Sequence, residues 1–307
     1  MSTTDLVDPS RPAATSPSTI SLAANLSPGR RIADRAATTA MYVSFAVAAI
    51  PLGLIISYVF FKGGQIVDVA FLTEAIPNAY TRVGPGMGPA VVGTLIITGA
   101  AALMAIPLGV MGAVYLNEYG RKRPLARVIR FMTDVMTGVP SVVMGVFIYV
   151  VFVLVVRAQN GLAGALALAC LMLPIVVRAT EEMLRLVPEE LRQASTALGA
   201  RTWRTTLTVV LPAALPGITS GSLLAVARAA GETAPIILVT GLTFQSNWNL
   251  FDGNNTTLAA QIFRNAAQPY PGAQARAYGA AFTLILLVFA FTIIARIVSA
   301  RFSAIRS

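Results

Sequence analysis

The sequence predicts an all-α membrane protein with six transmembrane helices, and three observations carry that expectation. Of its 307 residues, 56% are hydrophobic and only 12% charged, with a mean hydropathy of +0.72, which is more apolar surface than a soluble domain of this length can bury. The apolar residues gather in blocks of about 20, the length of helix that crosses a bilayer. Backbone groups in hydrocarbon must be bonded within the chain, and blocks of this length without period-two alternation point to helices rather than barrel strands.

Residues 1–37 are rich in Ser, Thr, Pro and Ala, with no long apolar run and no cleavable signal peptide, and read as a disordered tail. A transmembrane domain follows over 38–307, with spans at 38–61, 89–116, 131–156, 162–177, 211–240 and 277–300. Prolines 51, 107, 140, 174 and 235 fall inside these blocks and predict kinks in otherwise continuous helices. The fourth block is the shortest. Arg157, Gln159, Asn160 and Gly161 leave little room before it, which predicts a tight hairpin with the third.

Residue content excludes several functions. There is no histidine, and the lone Cys170 lies in an apolar stretch, so a disulfide framework, a Cys/His metal site and a His-based nucleophilic triad are all ruled out. No metal ligand set is expected. The net charge of +10 does not come from basic runs with interleaved aromatics, so nucleic acid is not an expected partner. The charge reads instead as topology. With the N-terminus cytoplasmic, 17 of the 23 basic residues fall on the inner side, in the tail, around 118–130, around 178–204 and at the C-terminal end. Lys62, Arg82, Arg157, Arg264 and Arg276 fall outside, and Arg228 lies within the fifth span. Both termini are therefore predicted to be cytoplasmic, with the Asn/Gln-rich loop over 242–276 outside. No Gly-rich loop ending in Gly-Lys-Ser/Thr is present, so any nucleotide is held by another chain.

Between the fourth and fifth spans runs Pro188-Glu-Glu-Leu-Arg-Gln-Ala-Ser-Thr-Ala-Leu-Gly199. Pro188 and the acids Glu189 and Glu190 suit the positive end of a helix, and Gly199 suits its left-handed stop. On these residues alone the segment is either an ordinary connecting helix or a lever for a soluble partner. Its spacing resembles the coupling motif of ABC importer permeases, Glu-Ala-Ala, three residues, Gly, nine residues, Ile, any residue, Leu-Pro. Gly199 takes the glycine, Ala194 the first alanine, and Leu211 and Pro212 the closing pair, while Gln193 replaces the Glu, Ser195 the second Ala and Val209 the Ile.

Further fragments narrow the resemblance: Gly86-Met-Gly-Pro89 with Gly93-Thr94, Tyr115-Leu-Asn-Glu-Tyr119, Val139-Pro-Ser-Val-Val-Met-Gly145 and Ala227-Arg-Ala-Ala-Gly-Glu-Thr-Ala-Pro235. Together they are similar to the PstA family of phosphate-importer permeases. The resemblance implies a type I ABC importer permease core over about 85–296, with a cytoplasmic coupling loop over about 178–210. It implies a multi-pass protein of the bacterial inner membrane, without catalysis or cofactor of its own. ATP and Mg would sit on two PstB-like ATPase subunits that receive the loop. A second, PstC-like permease and an extracytoplasmic, PstS-like phosphate-binding protein complete the implied complex.

Arg228 lies 17 residues after Leu211 and 13 before Gly241, so a continuous helix at ~1.5 Å per residue puts it ~20 Å or more from either end. A charge at that depth needs a partner or a water-filled cavity. Glu232 stands four residues on, over the same helix face. The two form either an ion pair that makes the arginine tolerable, or an anion-binding group lining the substrate pathway, the role that the PstA resemblance implies. Thr233 offers a further hydroxyl to the pathway or bonds its own backbone. Asp134 reads as a helix-dipole partner or interfacial charge, and Arg121, Lys122 and Arg123 as topogenic residues touching anionic lipid. Gly99, Gly109, Gly112 and Gly145 read as helix-packing contacts. Two rival classes stay open, a secondary transporter or channel without an ATPase, and a membrane enzyme.

Overall fold

In a computed structural model of the chain, residues 28–84, 86–120 and 123–304 are described. The chain divides into two compact units, 1–56 and 57–307. It is 78% helical, with no strand among the described residues. The described part of the first unit is a single helix, α1 (Pro28–Gly64), which runs on into the second. Helix α1 therefore starts ahead of the apolar block, within the expected tail. Hydropathy marks where a helix meets lipid and not where it starts, and Arg30, Arg31 and Ala33 are good helix formers. The rest of that tail, 1–27, lies outside the described residues, as do Arg121 and Lys122.

The second unit holds the other helices. After α2 (Val69–Thr73) comes α3 (Gly88–Val114), prolonged by a π-turn at Tyr115–Tyr119. Then follow α4 (Pro124–Gly138), α5 (Ser141–Ile148), a second π-turn at Tyr149–Val153 and α6 (Leu154–Val156). Next are α7 (Gly161–Arg185), α8 (Glu189–Ala197), α9 (Thr202–Thr205), a third π-turn at Thr206–Val210 and α10 (Leu211–Ala230). The chain closes with α11 (Ala234–Val239), α12 (Leu258–Ala266) and α13 (Pro271–Ala304). Five of these segments are long and apolar enough to cross a membrane, and a sixth crossing results if α4 and the bent continuation α5–α6 count as one span.

Three spans differ from expectation, each for a physical reason. The third turns by 107° between α4 and Ser141–Val156, because Pro140 has no N–H for the ladder and forces Val139 into an extended conformation (ψ 127°). The fourth, expected to be the shortest, is the 25-residue α7, and half of its most apolar stretch is buried. Its hydropathy fades at Arg178, but the helix continues because Glu181 is buried between two arginines. The fifth is not continuous to 240. It stops at Ala230 and restarts at Ala234, since Pro235 cannot donate an N–H to the carbonyl of Gly231. The prolines at 51, 107 and 174 stay within unbroken helices.

Helix α7 is the axis of the core, packing along α3 and α10. Ile97, Ala101 and Ala105 of α3 meet Leu168, Met172 and Val176 of α7, with Ala225 and Ala229 of α10 behind them. Small residues set these distances. A Cβ on Gly109 would stand 2.7 Å from a methyl of Val176, and one on Gly145 2.5 Å from the Cα of Pro235. Gly112 makes only ordinary contact with Val177, and Gly99 has nothing within 4 Å of its Cβ position, so it is not a packing contact within this chain.

The expected hairpin before α7 is present. Arg157 takes a left-handed conformation (φ 57°), and Asn160 caps α7 by accepting from the Ala163 N–H at 2.9 Å. At the end of α1, Tyr58 and Phe60 pack edge-to-face on Tyr278 and Phe282 of α13, with centroids 5.4 and 5.1 Å apart.

Candidate functional site

The two helix breaks meet. Pro140 at the turn between α4 and α5, Pro174 in α7, and Arg228 and Glu232 at the end of α10 line one cavity of ≈210 Å³, together with Thr137 and Ser141. Helix α10 ends within three residues of Arg228, so the continuous helix expected around that residue is corrected. Arg228 still lies about 25 Å along from Leu211 at 1.5 Å per residue. The interruption has a consequence for charge. Glu232 belongs to the link between α10 and α11, and its N–H donates to the Ala229 carbonyl at 3.1 Å.

The guanidinium Nε of Arg228 lies 3.7 Å from Oε1 of Glu232, with side-chain exposures of 70% and 18%. That separation is an ion pair beyond hydrogen-bond length. A cation in the last turn of a helix is favoured by the dipole, and a capping role would have Arg228 donating to the terminal carbonyls. Among the described residues it makes no such bond; its side chain is exposed at the lining of the cavity. Thr233 does not line that cavity; its hydroxyl donates to the Gly231 carbonyl at a long 3.4 Å. Asp134 is not at a helix start. It sits in the third turn of α4 and forms an ion pair with Arg178 of α7.

The second region is the loop between α7 and α10. Helix α8 starts after Pro188, carries Glu189 and Glu190 in its first turn and ends at Gly199 with φ +81°. The Gly199 N–H donates to Thr196 (2.9 Å) and the Ala200 N–H to Ser195 (3.2 Å), the paired bonds of a Schellman stop. Glu190, Gln193, Ala194 and Leu198 are exposed, Leu198 at 89%, and form the outward face. Ser195 turns inward, its Oγ 2.9 Å from Oγ1 of Thr205. Leu211 and Pro212 lie beyond this helix. They open α10, with Leu211 packed on the cluster of Val210, Ala214 and Ile218.

Beneath α8 lies a charged network that neither hydropathy nor motif spacing points to. Arg192 is 8% exposed and donates to the carbonyls of Val187 (2.7 Å) and Leu184 (2.8 Å) and to Glu118 (3.1 Å). Glu181, 2% exposed, accepts from Arg130 (2.8 Å) and Arg185 (2.7 Å). A carboxylate so buried costs several kcal/mol unless paired. The available signal was a carboxylate just past an apolar run: Glu118 two residues after the second block, and Glu181 four after the fourth.

A bundle with broken helices around a charged cavity, and a short helix presented beyond its end, is the architecture of an importer permease. The chain belongs to the binding-protein-dependent transport system inner membrane component family, whose sequence pattern it matches over residues 105–304. It is thus a non-catalytic membrane component of an ABC transporter, which sets aside the enzyme and the ATPase-free transporter.

Within that family, it is 42% identical over 283 residues to the phosphate transport system permease protein PstA 1 of Mycobacterium tuberculosis (strain H37Rv), covering 90% of each chain. It is 39% identical to the phosphate transport system permease protein PstA of Yersinia pestis, covering 78% of this chain and 81% of that one. The PstA resemblance read from the motifs is thereby borne out. The fold matches a bacterial alginate ABC transporter (TM-score 0.60, 13% identity, 89% of this chain and 96% of that one). It also matches the inward-facing MetNI methionine ABC transporter (TM-score 0.59, 19% identity, 69% and 94%). At these identities the likeness is one of fold.

Proposed function

We propose that this chain forms half of the translocation pathway of an ATP-driven importer of inorganic phosphate, and that the anion passes Arg228. The observation that carries this reading is the Arg228 side chain, 70% exposed at the lining of a cavity, with its carboxylate partner 3.7 Å away. A planar guanidinium binds a tetrahedral oxyanion through two parallel donors. Glu232 pairs with Arg228 when the cavity is empty and accepts a hydrogen bond from the P–OH group of hydrogen phosphate, a donor that sulfate at neutral pH lacks. Relatives named as phosphate transport permeases at about 40% identity support the substrate. Thr233 serves mainly to shape the link between α10 and α11.

A second homologous permease closes the open side of the cavity. Two ATPase subunits, holding ATP and Mg, dock on the exposed face of α8, and an extracytoplasmic binding protein delivers the anion. The excess of basic residues on the α8 side supports an orientation with that side and both termini in the cytoplasm of a bacterial inner membrane. ATP binding moves α8, and Arg228 is re-exposed to the other side by alternating access. Uptake of isotopic phosphate by the reconstituted complex, with sulfate as competitor, tests the reading. Phosphate uptake that sulfate leaves intact supports it, and uptake abolished by sulfate contradicts it.

A further inference from the structure

The π-turn at the end of α3 is gripped from two sides. Its Gly120 N–H donates to the Tyr115 carbonyl at 2.7 Å, five residues back, so the Leu116 carbonyl loses the partner it would have in an α-helix. Arg130 of α4 takes that carbonyl through Nη2 at 2.8 Å while its Nε binds Glu181 of α7. On the other side Glu118, 7% exposed at its side chain, receives Nη2 of Arg192, the buried residue of α8, at 3.1 Å, and the amide of Asn117 at 2.7 Å. Gly120 leaves no slack, since a Cβ there would be 2.7 Å from that of Ala126 in α4. Helix α4 then runs about 12 Å from Arg130 to Gly138, at 1.5 Å per residue, and Met136 and Thr137 at that far end line the cavity that holds Arg228.

A set of short, partly buried bonds therefore joins α8 to Arg130, and the rigid helix α4 continues from there to the wall of the cavity, without passing through the loop that covalently connects α8 to α10. We propose that Arg192, Glu118 and Arg130 are positioning residues that carry the displacement of α8 through the π-turn into α4, and so change the cavity at Thr137. The inference rests on the importer reading, in which α8 receives the ATPase. Two features suit these residues to transmission beyond simple stabilisation. Each arginine holds more than one acceptor in a fixed fork, which a point charge does not reproduce. The element between them is a π-turn, which can return to α-helical pairing by exchanging the Gly120 bond from Tyr115 to Leu116, provided Arg130 releases that carbonyl. Such an exchange is a discrete two-state element of the kind that coupling between distant sites requires.

The test uses the complex purified through this chain and reconstituted in vesicles, in a Cys170→Ser background carrying Thr137→Cys. The rate of labelling by a water-soluble maleimide is measured with and without ATP and vanadate. The expected result is an ATP-dependent change of at least fivefold in the unaltered network, falling to less than twofold in Glu118→Ala and in Arg192→Met, with Arg192→Lys between them. A purely stabilising role would lower the yield of complex and leave the ATP-dependent labelling ratio unchanged, and that result overturns the proposal. Should the first two variants fail to assemble, Glu118→Asp and Arg130→Lys replace them, and the same ratio decides. The labelling does not depend on which solute is carried, so failure of the parent to import phosphate would count against the substrate alone.

Discussion

Pro235 lies against Gly145 so closely that its Cα occupies the space a side chain at 145 would need, 2.5 Å from the Cβ position. The contact joins the two halves of the site, because Gly145 is in α5, just past one helix break, and Pro235 is in α11, just past the other. Close approach of this kind is how helices associate where lipid provides no hydrophobic drive.

Gly145→Ala is therefore expected to force the breaks apart and to destabilise the chain by about 1–3 kcal/mol, the usual range for overpacking. Thermal unfolding of the detergent-purified complex measures this, with Gly99→Ala as control. Gly99 has open space around it and should be neutral or gain up to ~1 kcal/mol from helix propensity. Equal melting of Gly145→Ala and the parent would show that the junction of the breaks is loose.

Gly199 presents the opposite case, since nothing lies within 4 Å of its Cβ position and yet its φ is +81°. Space is no obstacle there, but the left-handed backbone costs a residue with a side chain about 1–2 kcal/mol, and more when it is β-branched. Gly199→Val should unmake the Schellman stop and displace the exposed Leu198. Uptake should fall at least tenfold while the permease remains in the membrane at parental level. Transport coupled to ATP turnover as in the parent would remove α8 from the docking role.

The orientation proposed from basic residues is open to direct measurement. A reporter fused after Ser307 should behave as cytoplasmic and one inserted near Asn254, in the exposed loop before α12, as external. Either reporter on the other side contradicts the topology.

Much of this was legible in the sequence because membrane spans and helix stops are local. Apolar blocks mark the crossings, and Pro188 and Gly199 bound α8 from both ends. What escaped was non-local. The prolines at 51, 107, 140, 174 and 235 look alike in sequence, but Pro51, Pro107 and Pro174 leave their helices continuous, whereas Pro140 and Pro235 break theirs. The breaks are stabilised by what faces them, Pro235 on Gly145 and the cavity between, and no window along the chain contains both partners. The same holds for Glu118 and Arg192, 74 residues apart, and for Arg130 and Glu181, 51 apart. Arg228 was singled out by its distance from the ends of a continuous helix, and the break leaves only the distance from Leu211 as expected.

The central claim is that Arg228 meets the transported anion and does more than balance Glu232. Single charge deletions do not separate these roles, since Arg228→Ala strands Glu232 under either. Replacing the pair together, Arg228→Leu with Glu232→Gln, removes both charges and with them the cost of burying either alone. The measurement is isotopic phosphate uptake by the reconstituted double variant, normalised to assembled complex with its ATPase. The predicted result is normal assembly with uptake reduced at least a hundredfold, and uptake at a substantial fraction of the parental rate would contradict it.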